Sequence, residues 1–190
     1  MMLRYIYTVQ QFIVHRKILQ QYATDPQLQS PTILDIAPQQ LYAAGIRTMV
    51  IDFDGVLTAH AMPVPDPMVE QWLAACVACF GREQVFILSN NPIKARQEYF
   101  AADKNRAQLF ISRRKKPFPD SLHAISQQCG RNPSEIMVID DRLATGILAA
   151  IIAGTKAIFI TRPCVNFAAH PVREGFFMTL RKIEQFLCKC

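Results

Sequence analysis

Short apolar runs alternate with longer segments of helical spacing through most of the chain. Five runs have the length and composition of buried strands: Arg47–Asp52, Gln84–Ser89, Gln108–Ser112, Glu135–Asp140 and Lys156–Thr161. Between them lie four segments of helical pattern: Pro67–Phe80, Pro92–Ala102, Pro119–Cys129 and Leu143–Ala153. Strands and helices in alternation predict an α/β fold built on a doubly wound parallel sheet.

The 190 residues fit one domain with an amphipathic helical segment at each end. We assign residues 1–30 to an N-terminal amphipathic helical segment and 31–172 to the α/β core. Residues 173–190 form a basic amphipathic helix packed on or beside that core. Both ends mix apolar and basic residues, so each suits an anionic membrane surface. Packing on the sheet with a solvated basic face explains the same pattern equally well.

The composition argues against a membrane span and against secretion. The chain is 51% hydrophobic, yet no apolar run is long enough to cross a bilayer, and no cleavage site follows the apolar N-terminus. We therefore expect a cytoplasmic protein, with peripheral attachment to the inner face of the membrane as a variant of that location. The six cysteines should stay reduced. Cys76 and Cys79 have zinc or redox spacing, but their helical surroundings favour buried thiols.

The net charge is +6 and the sequence pI is about 9.1, which favours anionic partners. Phosphorylated metabolites, nucleic acid and anionic lipid all satisfy this condition. Nucleic acid is the least favoured, because the basic residues are not interleaved with aromatic ones and no recognition motif is present.

Seven polar residues and one glycine follow the predicted strands, at the edge of the sheet where ligands bind in doubly wound folds. In chain order they are Asp52, Asp54, Gly55, Ser89, Asn90, Lys116, Asp140 and Asp141. Phosphoryl transfer needs such a set, because a nucleophile and a proton donor must act while cations neutralise the phosphoryl charge. Carboxylate oxygens suit Mg²⁺, and a glycine lets a backbone amide approach a phosphate.

The run Asp52-Phe53-Asp54-Gly55-Val56-Leu57-Thr58 resembles the first motif of the haloacid dehalogenase (HAD) superfamily. The later polar residues follow in the order of that superfamily. The resemblance implies a Rossmann-like HAD fold in which Asp52 is the nucleophile and Asp54 is the general acid and base. It also implies that Ser89 and Lys116 bind the phosphoryl group.

The same resemblance implies Mg²⁺ as the cofactor. The implied magnesium ligands are Asp52, Asp54, Asp140 and Asp141. We add Asn90 and Gly55 to the phosphate-binding set, since backbone amides at a strand end and at a tight turn suit an anion. Ser89 has a second interpretation as the cap of the helix that follows it, and Asn90 and Asn91 have one as turn formers.

A closer resemblance extends over most of the chain after about residue 30. The segments that carry it are Thr32–Ile36, Ser89–Asn91, Lys115–Pro117 and Gly175–Glu184. They are similar to the subclass IIIA phosphatases related to phosphatidylglycerophosphate (PGP) phosphatase. The resemblance implies a glycerophospholipid headgroup as substrate and a role in the synthesis of phosphatidylglycerol and cardiolipin.

Two positions depart from the pattern of that family. Members usually carry asparagine at the position of Gly55, and a second acidic residue within the stretch that ends at Gly146. We expect Asp141, next to Asp140, to replace the missing ligand. Little sequence is left between the motifs for an inserted domain, so we also expect a capless or minimally capped enzyme with an open site.

Two other functions remain compatible with these residues. A phosphatase of a soluble sugar or nucleotide phosphate would use the same site, and only its substrates would differ. A catalytically weakened HAD-like scaffold would follow if the change at Gly146 prevented metal binding.

Overall fold

The computed structural model describes residues 2–90, 93–103 and 105–189. Within these ranges a six-stranded parallel sheet forms the centre of the molecule. Its strands are β1 (Gln29–Ser30), β2 (Thr48–Ile51), β3 (Val85–Leu88), β4 (Gln108–Phe110), β5 (Ile136–Asp140) and β6 (Lys156–Ile160). Their order across the sheet is β1-β6-β5-β2-β3-β4. The predicted α/β fold with a doubly wound parallel sheet is confirmed.

Helices cover both faces of this sheet. They are α1 (Met2–Val14), α2 (Arg16–Thr24), α3 (Pro38–Ala43), α4 (Pro67–Phe80), α5 (Lys94–Ala101), α6 (Asp120–Cys129), α7 (Leu148–Ala153) and α8 (Pro171–Lys189). The helix predicted over Leu143–Ala153 is divided, because Leu143–Ile147 forms a π-helical turn before α7. The predicted start at Pro92 lies outside the described residues, and α5 begins at Lys94.

The predicted boundary at residue 30 is not a structural boundary. Strand β1 lies inside the segment that we assigned to the N-terminal helix, and it pairs with β6 at the edge of the sheet. A strand of two residues has no periodicity of its own, so the sequence pattern could not reveal it. Residues 29–30 therefore belong to the α/β core.

Successive residues of β2 face opposite layers of the core. Met49 and Ile51 pack with Trp72 of α4 in one buried cluster, whereas Val50 packs with Leu148 of α7 in the other. Side chains alternate between the two faces of a strand, and both faces of a parallel sheet are covered by helices. This explains why the central strands are continuously apolar rather than alternating.

The terminal helices also pack on the core. Leu19 of α2 and Cys188 of α8 are fully buried in the same cluster as α7. These buried residues support the alternative that the terminal segments pack on the α/β core. No helix in the described part of the chain is both long and apolar enough to cross a membrane.

The strand order places the polar strand ends together. From β2 the chain adds β3 and β4 on one side, and it then returns to add β5 and β6 on the other side. The direction in which strands are added therefore reverses between β2 and β5. Ligands bind at such a switch point, outside the carboxyl ends of the strands. Asp52, Ser89 and Asp140 all lie at this point.

Candidate active site

A lysine bridges two buried carboxylates at the switch point. The Nζ atom of Lys116 donates to Oδ1 of Asp52 over 2.6 Å and to Oδ2 of Asp140 over 2.5 Å. Asp52 comes directly after β2, Asp140 ends the neighbouring β5, and Lys116 reaches them from the loop between β4 and α6. Lys116, the phosphate-binding lysine that the resemblance implies, is therefore buried in the site, whereas the adjacent Lys115 is exposed.

Burial and charge act together on the protonation of this group. Burial raises the pKa of Asp52 well above its usual value; Lys116 opposes this rise, and the carboxylates of Asp140 and Asp141 add to it. Burial would lower the pKa of Lys116, but its ion pairs with Asp140 and Asp52 outweigh that effect and raise it. The lysine is therefore held as a cation, and it is the main counter-charge that favours ionised Asp52.

A third carboxylate completes a cluster with the donor set of a divalent cation site. One ligand atom from each of Asp52, Asp140 and Asp141 lies within 4.8 Å of the others. Lys116 and Arg181 pair with these three carboxylates, so one negative charge is left uncompensated when all are ionised. Oδ1 of Asp141 is buried and has no hydrogen-bond partner among the described residues. Hard oxygen ligands, excess negative charge and an unpartnered oxygen all fit Mg²⁺.

The side chain of Asp54 does not belong to this cluster. Its two oxygens accept hydrogen bonds from Arg96, over 2.8 Å from Nη1 to Oδ2 and 2.5 Å from Nη2 to Oδ1. Ser89 also donates to Oδ2 of Asp54 over 3.4 Å and accepts from Arg96 over 3.1 Å. The structure thus places the Asp54 carboxylate with a cation rather than with the carboxylates that we expected it to join. Its role as a magnesium ligand stays a prediction.

Arg96 is a functional residue that the sequence reasoning missed. Its guanidinium is fully buried and stacks on the ring of Phe53, 4.0 Å from the ring centre. Arg96 also donates to the carbonyl of Met62. An arginine on a short polar helix carries no motif, and only the fold brings it to Asp54. An arginine is almost never fully buried unless it is paired, so this placement is informative.

The predicted phosphate ligands Ser89 and Asn90 lie beside the cluster. The alternative that Ser89 caps the following helix assumed a start at Pro92, which lies outside the described residues; within them, α5 has Ile93 as its N-cap. Oδ1 of Asn90 accepts a hydrogen bond from the backbone amide of Lys116 over 2.8 Å. Asn90 therefore orients the lysine loop. Asn91 lies outside the described residues.

Comparisons with known proteins agree with this geometry. A family model described as mitochondrial PGP phosphatase matches residues 7–165, which is well over half of the chain. The chain belongs to the PGP phosphatase family. It is therefore a phosphatase of the HAD type, as the motifs at Asp52 and Asp140 predicted.

Other comparisons add little. The comparison with curated proteins found no match. Among solved structures, an uncharacterized protein from Corynebacterium glutamicum ATCC 13032 Kitasato is similar with 17% sequence identity and a TM-score of 0.49. The similarity covers 73% of this chain and 96% of that chain.

Gly146, one of the two departures from the PGP phosphatase pattern, lies directly against Asp140. A Cβ atom at residue 146 would fall on the carboxylate of Asp140. The carboxylate of Asp140, at the end of β5, therefore already fills the space that a side chain at residue 146 would occupy. A missing acidic side chain at 146 does not leave this side of the cluster without oxygen ligands, which weakens the case for an inactive scaffold.

Gly55 is the other departure, and its phosphate-binding role stays a prediction. Its amide donates to the carbonyl of Thr58 over 2.7 Å, so it is not available to a phosphate unless that bond breaks. Glycine is required here for two other reasons. Its φ of +89° disfavours a side chain, and an added Cβ would collide with the paired side chains of Asp141 and Arg181.

Three buried charged residues of α8 face the site, and sequence reasoning assigned none of them a partner. Glu174 accepts from the backbone amide of His60 and pairs with its ring, Arg181 pairs with Asp141, and Glu184 pairs with Arg142. The signal that could have found these residues is that the three charged positions fall on one side of the helix.

The close approach of Gly146 to Asp140 can be tested by adding one methyl group. Gly146→Ala should lower the free energy of unfolding by about 1–3 kcal/mol, because the new Cβ displaces a buried, paired carboxylate. Gly175→Ala is the matched control, since a Cβ there meets nothing within 4 Å. Alanine is also the better helix former, so this control should be neutral or slightly stabilising. Urea unfolding measures both, and a Gly146→Ala protein as stable as wild type would contradict the packing described here.

The effect of Mg²⁺ on stability should depend on pH. Burial raises the pKa of Asp141 to about 6 from the ordinary 3.8, against the opposing effect of Arg181. In metal-free protein the folded state then holds this proton more tightly than the unfolded chain, so the contribution of Asp141 to stability falls as pH rises from about 4 through about 6. Mg²⁺ needs the ionised carboxylate, so its stabilising effect should grow over the same range.

Calorimetry with and without Mg²⁺ measures this dependence. We expect a larger Mg²⁺-induced rise in Tm at about pH 7.5 than at about pH 5. An equal rise at both pH values would show that Mg²⁺ stabilises the protein somewhere else.

Proposed function

We propose that this phosphatase removes the terminal phosphate of phosphatidylglycerophosphate in a Mg²⁺-dependent reaction, with an aspartyl phosphate on Asp52 as intermediate. The observation that carries the proposal is the buried cluster of Asp52, Asp140, Asp141 and Lys116 at the switch point of the sheet. It belongs to a chain of the PGP phosphatase family. Together the cluster supplies a nucleophile, a fixed cation and a divalent metal site.

We take Asp52 as the nucleophile because its side chain is 11% exposed, whereas those of Asp140 and Asp141 are almost fully buried. Its Oδ1 is held by Lys116, which fixes the orientation of the carboxylate and favours its ionised form. When bound by Asp52, Asp140 and Asp141, Mg²⁺ would neutralise charge on the phosphoryl oxygens. Lys116 would move from Asp140 toward those oxygens as the phosphoryl group enters. Asp52 then forms a bond to phosphorus as the bond to the glycerol oxygen breaks.

Asp54 donates a proton in the first step and accepts one in the second. In the first step it protonates the departing glycerol oxygen. In the second it takes a proton from the water that attacks phosphorus, as the bond between Asp52 and phosphorus breaks and inorganic phosphate leaves. The bidentate contact with Arg96 fixes the orientation of the Asp54 carboxylate. Proton transfer to the leaving oxygen requires this contact to loosen when substrate binds.

The lipid substrate is supported by the surface beside the site. Helices α1 and α8 expose apolar side chains next to basic ones. The exposed apolar residues are Leu3, Tyr5, Ile6, Val9, Ile13 and Val14 on α1, and Val172, Phe176, Ile183, Phe186 and Leu187 on α8. We call these residues the terminal apolar face. Arg16, Lys17, Lys182 and Lys189 are exposed in or beside the same helices.

The inner sides of the same helices contact the loops of the active site. Arg4 of α1 donates from Nε to the carbonyl of Lys116 over 2.8 Å, and Tyr7 stacks on Phe118 at 4.4 Å between ring centres. A helix with an apolar face and flanking cations suits an anionic membrane surface. The terminal apolar face would then place the open site at the headgroups of a membrane, as a peripheral protein.

The substrate is tested by release of phosphate from phosphatidylglycerophosphate in mixed micelles, beside a panel of soluble phosphomonoesters. We expect Mg²⁺-dependent release that strongly favours the lipid, and its loss in Asp52→Asn, which removes the nucleophile. Asp120→Asn, a change at an exposed surface carboxylate, is the matched control and should leave the rate unchanged. Equal or faster hydrolysis of the soluble esters would keep the chemistry and overturn the lipid substrate.

Membrane attachment is tested by flotation of the protein with vesicles rich in anionic phospholipid. Phe186→Glu should weaken binding about tenfold or more, because it removes a large apolar group from the terminal apolar face and adds a repelled charge. Met68→Glu is the control, since Met68 is 69% exposed on α4, outside that face. Equal binding by wild type and Phe186→Glu would rule out α8 as the contact surface.

A further inference from the structure

Helix α8 lies outside the residues that match the PGP phosphatase family, yet its inner side reaches the candidate metal site. The family model ends at residue 165, and α8 begins at Pro171. Arg181 on this helix is 4% exposed and pairs with Asp141, which is 1% exposed. A buried charge in contact with a candidate metal ligand calls for a role at that site.

The contact of Arg181 with Asp141 is one-sided. Both Nε and Nη2 of the guanidinium approach the same oxygen, Oδ2 of Asp141. The other oxygen, Oδ1, is buried and has no hydrogen-bond partner among residues 2–90, 93–103 and 105–189. The hydrogen bond from Nε, together with the ion-pair contact of Nη2 on the same oxygen, fixes the rotation of this carboxylate and leaves its second oxygen for another ligand.

The first motif is shaped around this pair. A Cβ atom on Gly55 would come within 2.5 Å of Nη2 of Arg181 and would also strike the carboxylate of Asp141. The guanidinium therefore occupies the space beside Asp141 that a side chain at residue 55 would need. The glycine at position 55 and the arginine at position 181 are explained by one arrangement.

The neighbouring turn of α8 fixes the backbone on the other side of Asp141. Oε1 of Glu184 accepts from Nε of Arg142 over 2.9 Å, and its Oε2 accepts from the amide of Ala144 over 3.3 Å. Glu184 is buried as well. Residues 141, 142 and 144, which follow the end of β5, are thus held by two side chains one turn apart on α8.

We infer that Arg181 is a positioning residue of the metal site: it fixes Oδ2 of Asp141 so that Oδ1 is presented to a divalent cation. This inference rests on the metal site in the proposed function. Partners that orient a metal ligand commonly contribute about 10–100-fold to metal affinity. Arg181 acts through Asp141 and is not assigned a contact with substrate.

The test is direct titration of metal-free, full-length protein with Mg²⁺, and with Mn²⁺ as a spectroscopic probe. Arg181→Met should weaken metal binding about tenfold or more, because the carboxylate of Asp141 loses its fixed orientation. Lys182→Met removes a neighbouring but exposed cation from the same helix and should bind metal as wild type does. Phosphatase assays should show a higher Mg²⁺ requirement for Arg181→Met, with most of kcat recovered at saturating Mg²⁺.

A second variant keeps the test decisive if Arg181→Met does not fold. Arg181→Lys keeps the charge but lacks two donors in fixed geometry, so it should weaken metal binding by about threefold or more. Unchanged metal affinity in the folded variants would overturn the inference while leaving the proposed function intact. If wild type itself bound neither metal ion, both the metal site and this inference would fall.

Discussion

The ammonium of Lys116 between Asp52 and Asp140 is the interaction on which the rest of the site depends. Two carboxylates at the ends of adjacent parallel strands repel each other when buried, and the third one, Asp141, adds to that repulsion. A cation must lie between them for the strand ends to meet in this way. Lys116 and Arg181 provide part of that positive charge, and the remaining negative charge makes the cluster receptive to a divalent ion.

The elements around the cluster each hold one of its members. The side-chain oxygen of Asn90 accepts a hydrogen bond from the backbone of Lys116 and orients its loop. Arg96 holds Asp54 apart from the other carboxylates, and Arg181 holds Asp141. Helix α1 contacts the lysine loop through Arg4. The two terminal helices therefore join the active site to the terminal apolar face. If the proposed lipid substrate is correct, this arrangement would place a membrane-facing surface in direct contact with the loops of the active site.

Sequence patterns predicted the parts of this structure that have a local signal. The apolar runs gave five of the strands, and the polar residues at their ends gave Asp52, Lys116, Asp140 and Asp141 as a group, because parallel strand order determines where strand ends meet. Strand β1 was missed because two residues carry no periodicity. Arg96 and Arg181 were missed for a different reason. Their partners are 42 and 40 residues away, and only the packing of α5 and α8 brings them together.

The covalent step on Asp52 is the central claim, and it is tested most directly by locating the phosphoryl group on the protein. Asp54→Asn protein with Mg²⁺ and para-nitrophenyl phosphate is suitable, because nitrophenolate leaves without being protonated, whereas hydrolysis of the intermediate needs a base that takes a proton from water. After an acid quench, mass spectrometry of peptides should find the phosphoryl group on Asp52, and only when Mg²⁺ was present. Release of nitrophenolate with the phosphoryl group on another residue, or with no modified peptide, would contradict the account.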